Sequence, residues 1–191
     1  MNQPEYIDET NQPEEKPIRL SPSFLEWVEA MVSALVVVVL IFTFFLHTNT
    51  VMGRSMLPTL VENDQLLVSR LFYKPEQGDI VIISKSSFRD YPIVKRIIAV
   101  AGQTVDIDEV TGEVTVDGKV LDEPYLNPGI TQVKNMEFPA TVPDGCVFVM
   151  GDNRMESDDS RNTQLGFVEE GYIQGKVLFR YRPLSRFGRV E

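Results

Sequence analysis

Seventeen consecutive residues, Ala30–Leu46, carry no charge, and only Ser33 and Thr43 among them are polar. As a helix rising ~1.5 Å per residue, the run is roughly 26 Å long, slightly under the hydrocarbon thickness of a bilayer. Extending it from Val28 to His47 gives 20 residues, with Trp27 where an interfacial aromatic belongs. A helix buried in a soluble core keeps a polar stripe, and Leu35–Leu46 shows none. A cleaved secretory signal has a basic start and a small-x-small site after a shorter apolar core. Here the start is acidic, and His47-Thr48-Asn49-Thr50 offers no such site. The run predicts an uncleaved transmembrane anchor over 28–47.

Before the anchor, residues 1–29 hold seven acids against Lys16 and Arg19, a net −5 of the chain's −10. With its Glu, Asn, Gln and Pro, the segment 1–27 reads as a disordered tail. Lys16 and Arg19 on one side of the anchor, against Arg54 on the other, put that tail on the cytoplasmic side. The acidic balance argues against nucleic acid as a partner, since neutralising phosphates needs a basic face. One cysteine excludes an intrachain disulfide, and Cys146 with His47 cannot build a zinc site. No metal or cofactor is expected.

Past the anchor the chain reads as mainly antiparallel β. Short β-prone runs lie at Gln65–Val68, Asp79–Ile83, Tyr91–Ile98, Val105–Asp108, Val114–Val116, Lys119–Leu121, Val147–Met150 and Val177–Tyr181. Asp117-Gly118 between two of them is a strong hairpin signal. Residues 104–140, rich in turns and charges, predict an inserted β subdomain within a catalytic β core of 48–103 and 141–191.

Nucleophilic chemistry needs an activated side chain and a base. The single histidine, His47, sits at the membrane end of the anchor, which makes Ser–His–Asp and Cys–His arrangements poor. Cys146 opens an apolar strand and reads as a buried small hydrophobe. Asp152, Asp158 and Asp159 cluster, but an aspartyl dyad needs two separately placed loops. A Ser–Lys pair is left. Ser55 lies in Gly53-Arg54-Ser55-Met56-Leu57-Pro58-Thr59, and Lys95 lies inside an apolar strand. If Lys95 points inward, desolvation lowers its pKa towards that of a working base. A lysine on a half-exposed strand ordinarily points outward, so the two residues alone decide nothing. The segment Gly151–Arg161 adds four acids, two arginines and two serines in eleven residues. A calcium loop is its rival reading, but no glycine sits at that loop's centre, no Glu closes it, and Arg154 and Arg161 repel a cation.

Together, in order and spacing, three segments resemble the boxes of the bacterial type I signal peptidases, or leader peptidases. They are Gly53–Thr59, Tyr91–Gly102, and Gly151-Asp152-Asn153-Arg154 with Ser157, Asp159, Ser160 and Arg161. Lesser matches are Gly78–Val81, Asp117–Lys119, Glu123–Leu126 and Tyr181–Leu184. The resemblance spans about 28–188 and is nearest to Gram-positive-type members with a single anchor. It implies Ser55 as nucleophile, Lys95 as general base, and Ser157 as the hydroxyl holding the lysine amine. It implies that Arg96, Asp152, Arg154, Asp159 and Arg161 hold the wall of the site. The oxyanion takes the Ser55 N–H; this chain departs from the members that carry a hydroxyl two residues before the nucleophile, and with Gly53 there a backbone N–H of the Gly53 region is the expected second donor. Met56 is the one pocket residue it suggests.

The substrates so implied are signal-peptide-bearing preproteins cut after small-x-small sites at a bacterial cell membrane, with the catalytic part extracytoplasmic. Asn49–Arg54 and Pro92–Lys95 are expected to flank the peptide as extended segments. Ser55 lies nine residues past Leu46, within ~30 Å of the bilayer at ~3.3 Å per extended residue. The arginines Arg180, Arg182, Arg186 and Arg189 suit either lipid headgroups or acidic partners within the fold. Two rivals remain: a self-cleaving Ser–Lys repressor-type protease, which needs a DNA-binding head, and a catalytically inactive membrane-anchored β scaffold.

Overall fold

A computed structural model describes residues 22–126 and 130–190. The acidic tail lies outside the described residues up to Ser21, while Pro22–Trp27, assigned to it from sequence, are helical. The helix α1 runs Pro22–Phe45, and every residue from Ser23 to Thr43 is exposed. Among the described residues it is the one helix long and apolar enough to cross a membrane. The chain divides into two units, 1–40 and 41–191.

The helix ends earlier than the apolar run. Leu46 opens strand β1 (Leu46–Thr50), which pairs with β2 (Gln65–Ser69) from Leu46↔Ser69 to Thr50↔Gln65. His47 therefore belongs to a sheet edge: Thr48 and Thr50 are β-branched, and the β2 backbone supplies the ladder that this polar segment lacks by itself. The remaining strands are β3 (Ile80–Ile83), β4 (Ile93–Val100), β5 (Thr104–Ile107), β6 (Val114–Val116), β7 (Lys119–Val120), β8 (Ala140–Thr141), β9 (Cys146–Met150), β10 (Val168–Glu169), β11 (Ile173–Arg182) and β12 (Gly188–Arg189). They form two antiparallel sheets. The larger has the order β1-β2-β11-β3-β4-β9-β10 with β12 on β11, and the smaller has the order β7-β6-β5-β8.

The core sits on both faces of the larger sheet. Val51, Leu60, Val68, Ile82 and Val94 form one apolar cluster, and Val81, Ile97, Val149 and Leu165 another. A third cluster joins Ile98, Phe148 and Met150 to Val105, Ile107 and Val114 of the small sheet, so the two sheets share apolar surface. Cys146 is only half-buried, against that third cluster. The Asp117-Gly118 turn has positive φ at both residues (53° and 74°), the geometry that a two-residue hairpin needs. Arg180 and Arg186 resolve towards an acidic partner: both pair with Asp64, which is wholly buried.

Candidate active site

Strand β4 decides the site. It lies between β3 and β9, and six consecutive residues, Val94 to Ala99, are buried. Side chains alternate along it, so Lys95 shares a face with Ile93 and Ile97, while Arg96 shares the other with Val94 and Ile98. Lys95 is 3% exposed; in a central strand there is no outward direction for it to take. Its Nζ lies 2.8 Å from Ser55 Oγ, joining residues 40 apart in sequence.

Burial is the main reason that the Lys95 amine has its pKa lowered from 10.5 to about 8. The charges of Asp159 and Asp158 oppose the shift, and those of Lys134 and Arg161 assist it. Relative to a free lysine, the displacement moves the balance towards the neutral amine by about 3 kcal/mol. An uncharged amine at hydrogen-bond distance from a hydroxyl is the geometry for taking its proton.

The segment 151–161 packs behind this pair. The Asn153 N–H donates to the Ser55 carbonyl at 3.0 Å, and Asn153 Nδ2 donates to the Arg54 carbonyl at 3.1 Å. Gly151 permits the approach: a Cβ there would meet Ser157 Oγ at 2.2 Å and the Ser55 carbonyl oxygen at 2.4 Å. Ser157 is fully buried, and its hydroxyl has no hydrogen-bond partner. Asp159 is also buried; burial pushes its carboxyl up, but Arg161 above all, and then the Gly151 N–H, outweigh this and hold it below the usual range. Arg161 grips Asp159 with two bonds of 2.8 Å and donates to the carbonyls of Gln132 and Arg154.

On the other face of β4, Arg96 donates to both oxygens of Asp152 at 2.8 Å and to the Gly78 carbonyl at 2.9 Å. The Tyr125 ring lies 3.8 Å from its guanidinium carbon. Arg154 pairs with Glu123 and donates to Thr131 Oγ1 at 2.8 Å. The carboxylates of Asp152 and Asp159 are thus committed to arginines, and Asp158 pairs with Arg89 and Lys134. That commitment uses up the oxygens a calcium loop or an aspartyl dyad requires.

A groove opens at the pair. It is lined by Met52–Ser55 on one side, by Tyr91 and Ile93–Lys95 on another, and by Phe88, Arg89, Glu156 and Asp158. Gly53 borders it with φ of 80°, a left-handed conformation that suits glycine. Met56 does not line it; its side chain is 1% exposed and packs in the core with Val51 and Leu60. Asn153, which buttresses the backbone at Arg54 and Ser55, and Thr131, which accepts from Arg154, have no sequence signal that marks these contacts. Asn153 stands in the third box between the charged Asp152 and Arg154.

A family model described as signal peptidase, peptidase S26, matches residues 24–182. The signal peptidase IB of Staphylococcus aureus is 34% identical over 186 residues, covering 88% of this chain and 94% of its own. The probable signal peptidase I-1 of a Synechocystis strain is 37% identical over 176 residues, covering 86% of each. A crystal structure of a signal peptidase I from Enterococcus faecalis, 33% identical, aligns with a TM-score of 0.46 over 55% of this chain and 97% of that one. With the family matched across most of the length and relatives this similar nearly end to end, the chain belongs to the signal peptidase family, peptidase S26, and is a serine peptidase.

Proposed function

We propose that this enzyme removes signal peptides from preproteins by Ser–Lys catalysis, anchored in the bacterial membrane by its N-terminal apolar helix. The observation that carries the reading is the Lys95 amine, buried and 2.8 Å from Ser55 Oγ. Neutral Lys95 accepts the Ser55 proton as Oγ attacks the scissile carbonyl. The ammonium so formed gives that proton to the leaving amine, and the acyl group stays on Ser55 as an ester. A water then attacks the ester, again losing a proton to Lys95, and Oγ recovers its own. The oxyanion is held by the Ser55 N–H and by the backbone at Gly53. Ser157 orients the amine, and the arginine–carboxylate pairs of Arg96, Asp152, Arg154, Asp159 and Arg161 keep the wall rigid.

An extended peptide would lie in the groove between Gly53–Ser55 and Ile93–Lys95, and the family resemblance implies small residues at the first and third positions before the cut. The anchor keeps the site near the surface where the cleavage site of a membrane-embedded signal peptide emerges, with the N-terminus cytoplasmic. The test is cleavage of a preprotein by purified full-length enzyme in detergent. Ser55→Ala and Lys95→Ala are each expected to lower the rate by more than about 10³-fold with the fold retained. Near-normal turnover by either variant would refute the dyad.

A further inference from the structure

Between the small sheet and its last strand, residues 131–136 run as a strap along the segment 151–163. Arg161 Nη1 donates to the Gln132 carbonyl at 2.9 Å, and the Met136 N–H donates to the Arg161 carbonyl at 3.2 Å. The Thr163 N–H donates to Asn135 Oδ1 at 2.8 Å. In the middle of this strap, Lys134 Nζ donates to the Ser157 carbonyl at 2.7 Å and lies 3.5 Å from Asp158 Oδ1. Ser157 is thereby held through its backbone from two sides. Its N–H donates to the Asn153 carbonyl at 2.9 Å, and its carbonyl takes Lys134 and, at 3.4 Å, Arg161 Nη2. The hydroxyl is buried without a hydrogen-bond partner.

We propose that Lys134 is a positioning residue for the reaction: it fixes the Ser157 backbone and holds Asp158 in an ion pair, and so sets the place and charge state of Lys95. The proposal rests on the Ser55–Lys95 reading above. Lys134 comes from the strap between β7 and β8 of the small sheet, outside every segment that resembles the family's boxes. The charges acting on Lys95 are Asp158, Asp159 and Arg161 of the segment 151–161 and Lys134 of the strap. The strand β3 presents Val81 opposite it, and the 52–55 segment presents Ser55. The other charges at the groove are already paired, Arg54 with Glu156 and Arg89 with Asp158. Among the four acting charges, the two acids favour the ammonium, while Lys134 and Arg161 disfavour it. Arg161 is spent on Asp159, and Asp158 is shared between Arg89 at 3.1 Å and Lys134 at 3.5 Å, of which Lys134 is the one whose charge acts on Lys95.

The experiment uses the full-length enzyme in detergent with a signal-peptide-bearing preprotein, and measures kcat and KM against pH for Lys134→Met, Lys134→Arg and Asp158→Asn. Lys134→Met is expected to lower kcat about three- to tenfold at pH 7, with KM within about twofold, and to move the rising limb of the profile to higher pH. Lys134→Arg keeps the charge and donor and should restore the limb. Asp158→Asn should move the limb the opposite way, to lower pH, which loosened packing alone does not produce. An unmoved limb in Lys134→Met, or a uniform loss at every pH that Lys134→Arg fails to rescue, overturns the proposal. Ser55→Ala and Lys95→Ala run in parallel separate the two levels. If both are inactive and Lys134→Met keeps the parent profile, only this inference falls; if either is active, the dyad falls first.

Discussion

Lys95 and Arg96 are adjacent on one strand, equally buried at 3% exposure, and treated in opposite ways by their surroundings. Arg96 meets a carboxylate with two bonds, a carbonyl and an aromatic face. Lys95 meets a serine hydroxyl and otherwise an apolar strand face, with its nearest carboxylates already held by Arg161, Arg89 and Lys134. A guanidinium stays charged in any protein setting, so it requires the full set of partners. An ammonium denied such a set holds its proton less tightly and can release it near neutral pH. Alternation across the strand thus places a permanent cation on one face and a base on the other. The first builds the wall; the second does the chemistry.

The comparison breaks most visibly on the arginine side. Arg96→Met leaves the Asp152 carboxylate buried without its counter-charge, and an orphaned buried ion of this kind is destabilising by about 3–5 kcal/mol. Chemical denaturation of the purified enzyme reads this directly. A loss under about 1 kcal/mol would show that Arg96 is not the partner on which Asp152 depends.

On the lysine side the sign reverses. The folded state disfavours the Lys95 ammonium, so it binds fewer protons there than the unfolded chain does. The penalty is absent above the ordinary lysine value of 10.5, grows as pH falls, and is complete below about 8. Lys95→Met, with a similar stem and no charge, is therefore expected to be about 1–3 kcal/mol more stable than the parent at pH 7. The advantage should shrink as pH rises towards 10.5. Equal stability at pH 7 would mean that Lys95 is better solvated than its burial implies.

Legibility from sequence followed the range of the interactions involved. The apolar run and the Asp117-Gly118 turn are local signals, and both appear as helix and hairpin near their expected places. Strand β1 was missed because Leu46-His47-Thr48-Asn49-Thr50 has no strand pattern of its own; β2, fifteen residues further on, supplies the pairing. Strand β11 was seen only in its second half, since Gln174-Gly175-Lys176 interrupts the apolar pattern. Gly175 is there because the backbone of Ser69 comes within 2.5 Å of where a Cβ would stand. In the site, Ser55 and Lys95 were legible as chemical types through their motifs. That Lys95 points inward was not, because it depends on β3 and β9 flanking β4 and on apolar clusters covering both faces. Met56 misled for a related reason: adjacency to Ser55 in sequence says nothing about which side of the chain faces the groove, and this side chain turns into the core.

All of this converges on the charge state of one amine. The most direct measurement is kcat for preprotein cleavage as a function of pH, at saturating substrate and with the enzyme intact in detergent. The base is the neutral form, so the rate should climb with pH and level off above a midpoint near the Lys95 value of about 8. A flat profile between about pH 5 and 9 would contradict the account, because a base with a lowered lysine pKa must titrate within that window.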